Sequence, residues 1–195
     1  MQFENVGHFI LNKLRLELPA ALSYHSVLHV EDVYAAAEMI GRQENISEQE
    51  MKLLLTAAWF HDSGFLRGPK DHEEESCRMA RQFLPDFDYT AEETEQVCGM
   101  IMATKIPQSP KNHLEQILAD ADLDYLGRDD FFETGDKLFS ELSFFGFLNT
   151  EDEWNRLQVR FLESHHYFTP TAIRLRQAKK EAHLVLVKFK IKQSS

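Results

Sequence analysis

Leu53-Leu54-Leu55-Thr56-Ala57-Ala58-Trp59-Phe60-His61-Asp62-Ser63-Gly64-Phe65 is an apolar run that ends abruptly in an adjacent histidine and aspartate. Just upstream, Ser47-Glu48-Gln49-Glu50 reads as a capping box, in which the serine and the glutamate three residues later satisfy each other's free backbone N–H groups and open a helix. That helix is apolar nearly all round, which belongs at the centre of a domain rather than on its surface. Two polar side chains at the end of such a run need partners where the core stops. A shared metal ion is one way to satisfy both, and a polar turn closing the helix is the plainer one.

Working outward, helical spacing recurs on both sides. Phe3, Val6, Phe9, Ile10, Leu14 and Leu18 mark a helix that Pro19 stops, and Leu22 to about Ile40 repeats the pattern up to Gly41. After the polar loop Arg67-Gly68-Pro69-Lys70, helices are expected from about Asp71 to Leu84, Thr90 to Ala103 and His113 to about Leu126. Asp130 to Leu148 carries Phe131, Phe132, Phe139, Phe144, Phe145 and Phe147. Such a stripe is core in most proteins, with a pocket lid and a dimer face as its alternatives. Thr150 caps a helix toward His165, and Thr169-Pro170 opens the last one. At the tail, Val185 to Lys192 alternates apolar and lysine residues, so a strand competes with helix there, and helix is favoured.

The 195 residues are 43% hydrophobic with only 8 Gly and 6 Pro, which together with the helical periodicities indicates one all-α domain, 1–195. No stretch approaches the roughly 20 apolar residues of a membrane span, and the start lacks a leader pattern, so the expectation is a cytoplasmic protein with no membrane association. Cys77 and Cys98 have no Cys-x-x-Cys spacing and read as buried free thiols. A net charge of -11 argues against nucleic acid as partner. The charge is uneven: from Trp154 onward 9 Lys+Arg stand against 2 Asp+Glu, leaving 12 against 30 in the preceding body. The basic segment is expected to pack along acidic neighbours, or else to serve as an arm that attracts anions.

Three patches carry metal-ligand residue types: Tyr24-His25-Ser26-Val27-Leu28-His29, His61-Asp62, and Asp120-Ala121-Asp122-Leu123-Asp124. Four apart on a helix, His25 and His29 would share one face. Imidazole with carboxylate suits a divalent first-row metal with open water positions and does not suit a closed thiolate zinc site. Unrelated polar core residues and helix caps are the competing explanation.

The order of these patches resembles the HD superfamily of metal-dependent phosphohydrolases: a histidine, His-Asp some 30 residues later, and an aspartate about 60 further on. Tyr24-His25-Ser26-x-x-His29-x-x-x-Val33 looks like the opening motif of cyclic-nucleotide phosphodiesterases and small bacterial HD hydrolases, and residues 57–65 resemble the second motif throughout. The likeness covers roughly residues 22 to 127. His72-Glu73, Ala103-Thr104-Lys105 and Phe161-Leu162-Glu163-Ser164-x-x-Tyr167-Phe168-Thr169 extend it toward the small predicted-phosphohydrolase type.

The resemblance implies an HD-type helical bundle around one divalent metal ion (Mn, Fe, Co, Ni or Zn, with Mg also compatible). The implied ligands are His29, His61, Asp62 and one of Asp122 or Asp120, with Asp122 favoured because the family's ligand usually sits in an Ala-Asp pair. His25 matches the phosphodiesterase proton donor, while His72, Glu73 and Lys105 are candidates for the metal water and the phosphate. Arg174 and Lys179 are weaker candidates, and His165 and His166, at a helix end that favours a cation, carry no assigned chemistry. The implied activity is hydrolysis of a small phosphate ester, a nucleotide above all, with a non-catalytic metal- and nucleotide-binding module as the alternative. The extra histidines of two-metal relatives are missing, since Ser63-Gly64-Phe65 follows His-Asp here.

Overall fold

The computed structural model describes residues 1–193. Among them are nine α-helices and no strand: α1 Phe3–Glu17, α2 Val27–Gln43, α3 Glu48–Phe60, α4 His72–Phe83, α5 Ala91–Thr104, α6 His113–Asp122, α7 Phe131–Phe144, α8 Glu151–Ser164 and α9 Pro170–Gln193. The all-α expectation is met, and the lysine-alternating tail is helix. No helix among the described residues is long and apolar enough to cross a membrane.

The capping box of Ser47 and Glu50 forms as read, and α3 buries every residue from Leu53 to Phe60. Around it α1, α2, α5 and α6 contribute Ile10, Leu14, Val33, Ile40, Ile101, Ile117 and Leu118 to the main core. Truncating a side chain such as Leu54 there costs about 2–5 kcal/mol. A second, smaller cluster joins Tyr24, Tyr125, Leu126, Phe131, Leu162 and Val187, so α7, α8 and α9 close over the C-terminal end of α6.

Three readings need correction. α2 starts at Val27, not Leu22, because residues 22–26 form an irregular segment whose backbone is tied to α7 instead: Tyr24 N and His25 N both donate to Glu141. His25 therefore does not share a helical face with His29. Gly41 does not end α2; it lies inside the helix against Met51, Ile46 and Leu54. Of the phenylalanine stripe Phe131 is fully buried and Phe132 packs against the second cluster, while Phe144 at the end of α7 and Phe147 beyond it are 70% and 65% exposed.

The basic C-terminal segment packs on acidic neighbours. Arg176 pairs with Asp124 at 2.7 Å, Lys188 with Glu163 at 2.6 Å, and Lys179 with Asp129. Arg174 reaches Gln43 at 2.6 Å. Cys77 and Cys98 are buried free thiols facing one another across α4 and α5, each sulfur near the other's carbonyl.

Candidate metal centre

The three patches converge at the open end of α3. His61 caps the helix, and its Nδ1 donates to the Ala58 carbonyl at 2.8 Å, which turns Nε2 inward. That Nε2 lies 3.4 Å from Nε2 of His29, 3.3 Å from Asp62 Oδ2 and 3.5 Å from Asp122 Oδ1. His29 Nε2 in turn is 3.2 Å from Asp122 Oδ1 and 3.5 Å from Asp62 Oδ2. Ligand atoms of His29, His61 and Asp122 all fall within 4.8 Å of one another. The helices carrying them are held by the core, so the cluster is built on a rigid frame.

The electrostatics of the cluster favour a cation. Burial opposes charge on His61, yet the Asp62 and Asp122 carboxylates outweigh it and hold its pKa well above the ordinary value. Burial likewise opposes both carboxylates, yet the surrounding imidazoles pull Asp62 down and Asp122 to about 2. Asp62 Oδ2 is buried with no hydrogen-bond partner among the described residues. An orphaned buried carboxylate oxygen facing two imidazole nitrogens is the donor set of a divalent metal, and these residues fit one.

Asp120 stands apart. Fully buried, its two oxygens accept from Phe168 N at 2.9 Å, Thr169 N at 2.8 Å and Thr169 Oγ1 at 2.7 Å, anchoring the start of α9. Burial pushes its pKa up to about 6 in spite of these three donors. Sequence alone left the register between the two aspartates open; in the structure Asp122 faces the cluster and Asp120 faces away.

His25 lies beside the cluster, its ring nitrogen Nδ1 bonded to Glu141 on α7. Burial pushes the imidazole toward neutrality, but Glu141 and then Asp62 more than offset it, raising the pKa. Phe65, in the tight helical turn Ser63–Leu66 after Asp62, stacks on His25 with centroids 4.0 Å apart and touches His72 at 4.3 Å. His72 Nε2 is 3.6 Å from Asp62 Oδ1 and 3.4 Å from Glu73 Oε1. Gly64 makes this approach possible, since a Cβ there would lie 1.9 Å from the His72 carbonyl oxygen. Lys105 is turned away, pairing with Glu74 at 2.5 Å and Asp71 at 3.8 Å. His165 does not line the cavity at the cluster; burial and the adjacent Lys180 lower its pKa to about 3, so it is neutral where a helix-end cation was expected.

A cavity of about 220 Å³ opens at the cluster, bordered by Asp62, Asp122, His25, His72 and Glu73, and continues between α7 and α8. Glu141 and the α8 residues Leu157 and Gln158 of this cavity escaped sequence reasoning, which quoted Phe65, Phe161 and Leu162 within motifs without giving them a place at the site. One acid among 32 carries no signal, and Glu141 meets His25 only through a contact 116 residues apart.

A profile of the HD domain family matches residues 27–124. No curated protein sequence matches the chain. Among solved structures, a predicted HD superfamily hydrolase from an uncultured Thermotogales bacterium is 20% identical, with a TM-score of 0.64 over 96% of this chain and 92% of that one. Bacillus subtilis YpgQ in complex with ADP is 20% identical, with a TM-score of 0.67 over 98% and 97%. A Lactobacillus plantarum protein is 18% identical, with a TM-score of 0.68 over 99% and 97%. At these identities the structural likeness speaks to the fold.

Proposed function

Since this chain belongs to the HD-domain family, we propose that it is a metal-dependent phosphohydrolase whose substrate is a small phosphate ester of the nucleotide class. The observation that carries the reading is the buried, partnerless Asp62 Oδ2 set among two imidazoles and Asp122 at the mouth of a cavity. ADP bound to YpgQ supports the nucleotide as substrate class.

In this reading His29, His61, Asp62 and Asp122 hold one divalent ion. Such an ion, when bound, polarises phosphate oxygens and lowers the pKa of water toward about 7. The chain's own residues supply the rest. Water oxygen attacks phosphorus and the ester P–O bond breaks, so one proton must leave the water and one must reach the departing oxygen. His25, kept protonated by Glu141 and fixed in plane by Phe65, gives the second proton. His72, which borders the same cavity with Glu73 Oε1 3.4 Å from its Nε2, takes the first.

The test is elemental analysis of protein purified without chelator, followed by a screen of nucleoside mono-, di- and triphosphates and cyclic nucleotides with Mn, Co, Ni and Mg. One metal per chain and turnover abolished in His61→Ala are expected. Chelation should lower the melting temperature of the wild type by the equivalent of about 3 kcal/mol at a metal concentration near 100 times Kd, and leave His61→Ala unmoved. Normal activity in His61→Ala or Asp62→Ala would refute the assignment. Bound metal with no turnover of any ester would favour the binding-module alternative.

A further inference from the structure

The last helix, α9, is apolar on two sides. His183, Leu184 and Val187 face inward, the two aliphatic residues into the second cluster. On the opposite side Leu175, Ala178, Ala182, Val185, Leu186 and Phe189 form another stripe, at the three-and-four spacing of a coiled-coil seam. All six are exposed, Val185 by 66% and Phe189 by 58%. The apolar run from Leu184 to Val187 thus serves both faces at once. Cations along the edges of the stripe are drawn back onto their own chain: Arg174 to Gln43, Lys179 to Asp129, Lys188 to Glu163 and Lys190 over the Phe132 ring. What remains between them is an apolar strip along about 21 Å of helix.

The exposed parts of the six side chains amount to roughly 500 Å² per copy, which matches the apolar share of a standard interface of about 800 Å² per partner. The stripe is also complementary to itself. In an antiparallel pair with its two-fold axis between residues 183 and 184, Ala182 of one helix lies across from Val185 of the other and Ala178 across from Phe189, so each small residue receives a large one. A stripe with alanines at its centre gains little from a lipid surface, and the net charge of -11 opposes an anionic one. We propose that this face of α9 binds the same face of a second copy, giving a symmetric antiparallel dimer. Arg176 and His183 tie α9 to the segment that follows Asp122, so the pairing braces that segment. The dimer stands whatever chemistry the metal centre performs.

Sedimentation equilibrium of the full chain from about 1 to 100 μM covers the weak end of what a contact of this size delivers. The wild type should reach twice the chain mass. Val185→Glu/Phe189→Glu, which alters exposed positions only, should keep its circular dichroism while its dimer Kd rises about 100-fold or more. Introduced cysteines report the register, since the native Cys77 and Cys98 are buried. Ala182→Cys/Val185→Cys protein should form a covalent dimer on mild oxidation, whereas Leu175→Cys should not, its two copies standing about 25 Å apart along the paired helices. If the double glutamate variant does not fold, the cysteine pair carries the test. A wild type that is monomeric at the highest concentration, a dimer untouched by the glutamates, or cross-linking of Leu175→Cys in place of Ala182→Cys/Val185→Cys overturns the proposal. So does a monomer that binds vesicles of phosphatidylcholine and phosphatidylglycerol through this face, which would assign it to a membrane surface.

Discussion

Replacing Glu141 by Gln isolates what the α7 carboxylate does for His25. Glu141 is 3% exposed and accepts from Tyr24 N at 2.9 Å, His25 N at 3.1 Å and the His25 ring, which is itself 19% exposed. The glutamine amide oxygen keeps a backbone acceptor, but the charge that favours imidazolium is gone. A buried charge-assisted hydrogen bond is worth about 1.5–3 kcal/mol against about 1 for a neutral one, so the expected loss is about 1–2 kcal/mol of stability. The pH window follows from the two shifts. His25 has a folded pKa raised above 6.5, so its contribution is full below that value and is lost as pH rises through the raised pKa. Glu141 has a folded pKa lowered from 4.5, so its contribution is present above 4.5 and is lost as pH falls through the lowered value. The penalty should therefore be largest near pH 6 and shrink on either side, as measured by urea unfolding from pH 4 to 9. In the proposed hydrolysis the basic limb of the kcat profile should move to lower pH, because burial then acts on His25 unopposed by its largest support. An unchanged basic limb together with an unchanged unfolding free energy at pH 6 would refute the role given to Glu141.

Asp120→Ala should cost about 3 kcal/mol or more, since Phe168 N, Thr169 N and the Thr169 hydroxyl lose their acceptor, while bound metal stays near the wild-type count. Loss of metal with little loss of stability would instead make Asp120 a ligand. Gly64→Ala sets a methyl 1.9 Å from the His72 carbonyl and should destabilise by about 3 kcal/mol while displacing His72 and Glu73 from the cavity. A melting temperature and turnover equal to wild type would show that α4 can yield at no cost.

How far the sequence carried the reading depends on the range of the contacts involved. The capping box at Ser47 and the apolar run of α3 from Leu53 to Phe60 are local features whose physics needs no partner, and both stand as read. His29, His61-Asp62 and the 120–124 segment were visible as residue types in order along the chain. That Asp122 faces the cluster while Asp120 is taken up by residues 168 and 169 rests on a contact some 48 residues away that spacing cannot reveal. The start of α2 was misjudged for a similar reason: Glu141 satisfies the Tyr24 and His25 amides from across the fold and so competes with the helix for them.

The anchoring of the Asp122 segment by the last part of the chain bears on the order in which the protein can mature. Phe168 and Thr169 grip Asp120, Arg176 holds Asp124, and His183 Nδ1 donates to the Leu126 carbonyl at 2.9 Å. Gly127 fits beneath Arg176, whose backbone oxygen would lie 2.4 Å from a Cβ there. During synthesis every residue that faces the cluster has left the ribosome before any of these clamps exists. A nascent chain carrying His29, His61, Asp62 and Asp122 thus holds the four side chains of the proposed centre without their frame, which is completed only when α9 docks.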